Sequence, residues 1–254
     1  MHDHHDDDVP THSFDKQYWE RHWEQVPPEV TPAAEAAPEA PVAGSVANPY
    51  LVRAVQALEP GAALDAGCGT GAEAVWLAAH GWQVTGADIS DTALASAAER
   101  AVGQAVPGGR VTWVQADLVS WEPGRRFDLV MTNYAHPAMP QLAFYERILH
   151  WVAPGGTLLI VGHGTGHDGH GTHSHGTHDS HGGHGAAPTG SDGGSGHPPA
   201  EATVTLDEIQ RILDPEDWAI EVAQELDRAL TGPDGQAHVL ADVVVQATRR
   251  PSNR

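Results

Sequence analysis

The sequence predicts an α/β fold built on a single doubly wound sheet of seven strands. Five strands are parallel, two form a C-terminal antiparallel hairpin, and helices cover both faces. Three observations carry this. Short apolar runs alternate with helical patterns from Pro49 to Val161, which is the alternation of a parallel sheet. A glycine-rich turn, "LDAGCGTGA", joins the first strand to the helix after it. Near the C-terminus, Pro233-Asp234-Gly235 separates two strand-like runs, a turn signal that pairs them as a hairpin.

The elements follow in order. "PYLVRAVQAL" is a helix with Leu51, Val55 and Leu58 on one face. "AALDAGCG" is a short buried strand running into glycines, and "AEAVWLAAHG" is a helix ended by Gly81. "WQVTGAD" is the second strand, followed by the helix "SDTALASAAERAVG" with Ser90 or Asp91 as its cap. "RVTWVQAD" and "RFDLVMTN" are strands three and four. "PQLAFYERILHWVAPGG" is a helix stopped by Pro154 and glycine, and "TLLIVGH" is strand five. A further helix, "TLDEIQRIL", precedes the hairpin strands "WAIEVAQEL" and "HVLADVVVQATRR".

Two polar segments frame this core. Residues 1–47 form an N-terminal arm: a His/Asp-rich tail, an aromatic helix around "FDKQYWERHWEQ", and a Pro/Ala-rich stretch. Residues 48–250 form one domain, interrupted by a His/Gly-rich low-complexity insert at 162–200.

The formal net charge of −21 repels a phosphate backbone and an anionic membrane surface, so neither nucleic acid nor membrane is an expected partner. The one cysteine, Cys68, forms no internal disulfide, and the acidic N-terminus has no apolar signal region. No apolar run is long enough to span a bilayer. These features place the chain in the cytoplasm by expectation.

The chemistry gathers at the predicted carboxyl ends of the strands. Gly67, Gly69 and Gly71 read as G-x-G-x-G. Such a loop lets backbone approach a ligand at a helix N-terminus, and it suits dinucleotide and S-adenosylmethionine (SAM) equally. Asp88 closes strand two, where a carboxylate can accept ribose hydroxyls or merely cap a surface turn. Asp117 closes strand three, as an acceptor for an adenine amine or as a loop cap.

In this order the motifs resemble those of a class I SAM-dependent methyltransferase, a Rossmann-like fold. "ALDAGCGTG", "GADIS", "QADL", "FDLVMTNYAH" and "LHWVAPGGTLLI" carry the resemblance. Within that family the chain resembles the tellurite-resistance/thiopurine methyltransferase-like type, where an aromatic segment like "YWERHW" closes over SAM. The resemblance implies that Gly67, Gly69 and Gly71 cradle the methionine part of SAM, with Cys68 between them as a small packing residue. It implies that Asp65 reaches the amino group, Asp88 holds the ribose, and Ile89, Asp117 and Leu118 bound the adenine. Asn133 would face the methyl-transfer region. Trp19, with Tyr18 and Trp23, would form an aromatic lid, unless these rings are simply core.

Methyl transfer from a sulfonium is an in-line displacement, so orientation dominates. A base is needed only where the acceptor carries a proton. His136, Asn133 and Tyr134 are the catalytic candidates, with His136 as the base or, alternatively, a helix-capping loop histidine. The expected acceptor is a small molecule, a thiol or a metalloid oxyanion.

The tract "GHGTGHDGHGTHSHGTHDSHGGHG" holds His163, His167, His170, His173, His175, His178, His181 and His184. Imidazoles on a Gly-rich chain can wrap Ni, Zn or Cu with little selectivity. A divalent transition metal is therefore an expected partner, and a metal-binding protein on a methyltransferase scaffold is the alternative function. An NAD-type dehydrogenase is disfavoured, because there is no separate substrate domain.

Overall fold

The computed structural model describes residues 13–25, 47–165, 202–231 and 237–251. In chain order these form α1 (Lys16–Gln25), α2 (Pro49–Val55), β1 (Ala62–Ala66), α3 (Ala72–Ala79), β2 (Gln83–Asp88), α4 (Asp91–Gly103) and β3 (Val111–Gln115). They continue with β4 (Phe127–Asn133), α5 (Gln141–Leu149), β5 (Val152–Gly164), β6 (Thr203–Val204), α6 (Leu206–Ile212), β7 (Trp218–Thr231) and β8 (Ala237–Arg249).

One sheet runs in the order β3-β2-β1-β4-β5-β8-β7, with β6 paired to β5. The β1–β2, β2–β3, β1–β4 and β4–β5 pairs are parallel. The β5–β8 and β7–β8 pairs are antiparallel. This is the doubly wound architecture that the sequence predicts, with one added feature. The two-residue β6 lies parallel to β5 at His163 and Gly164, and it is too short to leave a periodic signal.

Strand period explains the two cores. Leu64, Val130, Leu158, Ile160, Val243 and Val245 face one side, against Phe144 and Ile148 of α5 and Ile209 of α6. Their neighbours Ala63, Leu129, Met131, Leu159, Val161 and Val244 face the other, against Leu51 of α2 and Leu77 of α3. Successive side chains point to opposite faces, so strands buried on both sides are apolar throughout. Truncating one such fully buried leucine to alanine costs about 2–5 kcal/mol.

Local chemistry sets the boundaries. Ser90 caps α4, its Oγ accepting from the Ala93 amide at 3.1 Å. Thr205 and Glu208 form a capping box on α6. Helix α5 ends at Leu149, before Pro154, because Val152 is buried and begins β5, with Trp151 buried in the turn before it. Burial of that pair overrides the helical pattern.

The chain moves from β1 outward through β2 to β3, then returns to β4 on the other side of β1. This reversal opens a crevice at the carboxyl ends of the strands, the usual ligand position in open α/β sheets.

Candidate active site

The loop after β1 takes its form from three glycines. Gly67, Gly69 and Gly71 have φ of 80°, 48° and 73°, in the left-handed region that side chains disfavour. Gly67 and Cys68 both donate their amides to the Ala87 carbonyl of β2, at 2.8 and 3.1 Å. A Cβ on Gly67 would lie 2.2 Å from the Ala135 Cβ, and one on Gly69 would lie 2.9 Å from the Trp23 ring. Gly71 packs instead toward Trp113 and Ala97 and does not line the cavity, unlike the other predicted cofactor residues.

Asp88 ties this loop to the second strand. Its two carboxylate oxygens accept from the Gly69 amide at 2.8 Å and the Ser90 amide at 2.9 Å. Each oxygen keeps acceptor capacity for a hydroxyl. Burial pushes the Asp88 carboxyl above its usual range, while the Ser90, Gly69 and Ile89 amides pull it down.

A cavity of about 300 Å³ sits on the loop. It brings together Asp65, Gly67, Cys68, Gly69, Asp88, Ile89, Asp117, Leu118, Asn133, Tyr134, His136, His163 and Trp19. Four carboxylates line it, from Asp65, Glu73, Asp88 and Asp117, and none of its described lining residues is lysine or arginine. Asp65 is 1% exposed, and its Oδ2 has no hydrogen-bond partner. Burial, then Glu73 and Asp88, push its carboxyl well above the ordinary range. The buried amide of Asn133 likewise lacks partners on both Oδ1 and Nδ2. Such unmet groups carry a real desolvation cost and mark where a polar ligand fits. Asp117 sits at the exposed rim, where it also caps its own turn, accepting from the Val119 amide at 2.9 Å and the Ser120 hydroxyl at 3.3 Å.

The other part of the cavity is aromatic. Tyr134 follows β4 with φ of 51°, and its ring centroid lies 4.8 Å from that of His163. His163 stacks on His136 at 5.4 Å, and Phe14 lies 5.6 Å from His136. Gln141, 3% exposed, fixes the His136 tautomer. Its Nε2 donates to the Ala135 carbonyl at 2.9 Å, which leaves Oε1 to accept from His136 Nδ1 at 3.1 Å. His136 Nε2 is then the unprotonated nitrogen. Burial lowers the proton affinity of the ring, with Gln141 opposing, so His136 is neutral at neutral pH.

Helix α1 closes one side. Trp23 lies against Gly69, and Trp19 Nε1 donates to the His136 carbonyl at 3.1 Å. Glu20 accepts from Ser90 Oγ at 2.9 Å, the Asp91 amide at 2.8 Å and the Thr92 amide at 3.2 Å. It thereby caps α4 from another element. Lys16 adds an ion pair with Asp91 at 2.8 Å.

Of the histidine tract, His163 lies in β5 and lines the cavity. His167, His170, His173, His175, His178, His181 and His184 lie outside the described residues. No group of three metal-ligating side chains occurs among the described residues.

Sequence reasoning missed Glu20, Glu73 and Gln141. Glu73 reads as an ordinary acid in the first turn of a helix, and Glu20 as the i+4 partner of Lys16. Only the fold turns them toward the site.

Comparison with known proteins agrees with this geometry. A family described as "Methyltransferase domain" matches residues 63–156. The sequence is 37% identical over 109 residues to the ribosomal RNA small subunit methyltransferase C of Alcanivorax borkumensis, covering 41% of this chain and 32% of that protein. It is 33% identical over 129 residues to thiocyanate methyltransferase 1 of Brassica oleracea, covering 48% of this chain and 57% of that one. The structure of TehB from Haemophilus influenzae superimposes with a TM-score of 0.57 at 17% identity, over 79% of this chain and 61% of that one. The chain thus spans between about a third and somewhat over half of these curated relatives. The sheet order is that of a Rossmann-like methyltransferase fold, and within it residues 63–156 are similar to the methyltransferase domain family.

Proposed function

We propose that the protein is a SAM-dependent methyltransferase acting on a small acceptor. The observation that carries this is the charge of the cavity: four carboxylates and no described cationic side chain among its lining residues. Such a site repels the pyrophosphate of a dinucleotide and favours a ligand bearing an ammonium and a sulfonium. The partnerless Asp65 Oδ2 and Asn133 amide fit such a ligand, as does the glycine loop. Asp65 would meet the ammonium, Asp88 the ribose hydroxyls, and Ile89 and Leu118 the adenine faces.

When bound, SAM supplies a methyl group already activated for displacement. The chain's own residues orient, exclude water and move the proton. Phe14, Trp19, Tyr134 and His163 wall the acceptor side. His136 Nε2 takes the acceptor's proton, and Gln141 holds the ring in the required tautomer. A neutral imidazole can deprotonate a thiol before transfer, whereas an alcohol would give up its proton only in concert with transfer. The probable thiol methyltransferase among the relatives supports a thiol as acceptor, and the thiocyanate methyltransferase supports a sulfur nucleophile more broadly. A metalloid oxyanion would need no base. The net charge of −21 supports a small acceptor over RNA. The aromatic α1 on the glycine loop supports the tellurite-resistance/thiopurine-like type.

Calorimetric titration with SAM, S-adenosylhomocysteine and NAD tests the cofactor. The two adenosyl ligands are expected to bind and NAD is not; binding of NAD alone overturns the proposal. Labelled SAM with a panel of thiols, selenite and tellurite then identifies the acceptor. His136→Asn is expected to depress thiol methylation strongly.

A further inference from the structure

We propose that Asp65 and Glu73 share one proton in the free protein and release it when a cationic ligand enters the cavity. This rests on the reading of the cavity as a SAM site, and it adds to that site a residue, Glu73, and a proton linked to binding.

The geometry is that of a crowded acidic site. Asp65 comes from β1, Glu73 from α3 and Asp88 from β2, and all three are buried. Asp88 is held by the Gly69 and Ser90 amides, so its charge is compensated. Glu73 accepts from its own backbone amide and from the Asn48 amide at the start of α2, the latter at 3.2 Å. Asp65 Oδ2 has no partner.

The surrounding groups supply little positive charge. Arg100 of α4 keeps its charge and pulls the Glu73 carboxyl down, against the larger effect of burial, while its hydrogen bonds go to the loop. Its Nε donates to the Thr70 carbonyl at 2.9 Å and its Nη2 reaches Thr70 Oγ1 at 3.4 Å. The Cys68 thiol is buried, and burial with the nearby Asp88 and Asp65 keeps it protonated. From α1, Glu20 adds further negative charge toward Asp88. Arg100 and the Ala74 amide offset only part of the cost of burying two ionised carboxylates here, which favours one of them keeping its proton. Consistent with this, burial pushes both Asp65 and Glu73 above the ordinary carboxylate range, and Glu73 adds directly to the shift at Asp65.

A ligand ammonium or sulfonium supplies the missing charge. The carboxylic acid O–H bond then breaks, its electron pair stays on the carboxylate, and the proton passes to solvent. No bond to the ligand forms. Glu73 is thereby a binding residue that no glycine-loop motif identifies.

The test is calorimetry of SAM binding at one pH in buffers of different ionisation enthalpy. The expected result is release of about one proton near neutral pH, with SAM affinity rising about tenfold per pH unit while the pair titrates. Adenosine, which has neither charge, is expected to release none. Glu73→Gln removes one of the charges that hold the proton on Asp65 and is expected to reduce the release and move the pH dependence to lower pH. Equal heats in all buffers, or full release by Glu73→Gln, overturns the inference while leaving the SAM site intact. No SAM binding by folded protein overturns the site itself. Infrared spectroscopy of the free protein tests the shared proton independently. A protonated-carboxyl band weakened or shifted in Glu73→Gln is expected, and its absence in the parent protein overturns the proposal whatever binds.

Discussion

The two parts of the cavity are built by different means. The acidic part is set by backbone: three left-handed glycines, two amides on Asp88, and carboxylates at strand ends. The aromatic part is set by side chains from four separate places: α1, the loop after β4, the start of α5 and the end of β5. A backbone-built site tolerates few substitutions but leaves a compact signature. A site built from dispersed side chains is open to change and leaves almost none. The first suits a fixed cofactor, the second an acceptor that differs from one enzyme to another.

Substitutions can break this contrast, and the largest effect is expected in the backbone-built part. Gly67→Ala combines a left-handed φ with a Cβ driven into Ala135. Overpacking and backbone strain together are expected to cost about 2–5 kcal/mol, read from urea unfolding. A loss under about 1 kcal/mol would mean the loop adapts. Asp88→Ala removes two charge-assisted hydrogen bonds and the proposed ribose acceptor. SAM affinity is expected to fall by about 3 kcal/mol, or a hundredfold and more. Unchanged affinity in calorimetry would remove Asp88 from the site.

On the aromatic side, Gln141→Glu places a carboxylate against His136 Nδ1. The proton affinity of His136 rises, so the acid limb of the methylation pH–rate profile is expected to move toward higher pH. A rate loss without that displacement would give Gln141 a packing role only.

A smaller effect concerns stability against pH. Asp65 and Glu73 have folded-state proton affinities above their unfolded values, so the folded state binds more protons above the unfolded carboxylate range. Stability from this pair is therefore expected to fall as pH rises from about 4 toward neutral. Saturating SAM should reverse the trend, and Glu73→Gln should lessen it in thermal unfolding. Smallest is Glu20→Ala, which removes the cap that α1 supplies to α4 and is expected to cost about 1 kcal/mol.

Much of the fold is legible in the sequence, because parallel strands buried on both faces leave continuous apolar runs such as "FDLVMTN" and "TLLIVG". The glycine loop is legible because positive φ demands glycine at fixed spacing. Glu73 and Gln141 are not, since each looks like a common helix-surface residue until α3 and α5 turn it inward. The end of α5 is misread for a related reason. Trp151 and Val152 fit the helical period equally well, and only the pairing of β5 from Val152 onward, with Trp151 buried just before it, decides between the two.

The contact between Gly67 and Ala135 joins the two parts of the cavity. The position after Asp65's strand and the position before His136 touch with no room for one more methyl group. They behave like meshed gear teeth: displacing one must displace the other. Substitutions in the cofactor loop should therefore alter acceptor preference without touching any residue that meets the acceptor. Paired changes at 67 and 135 should depart from additivity, and the chemistry of one half should be tunable from the other.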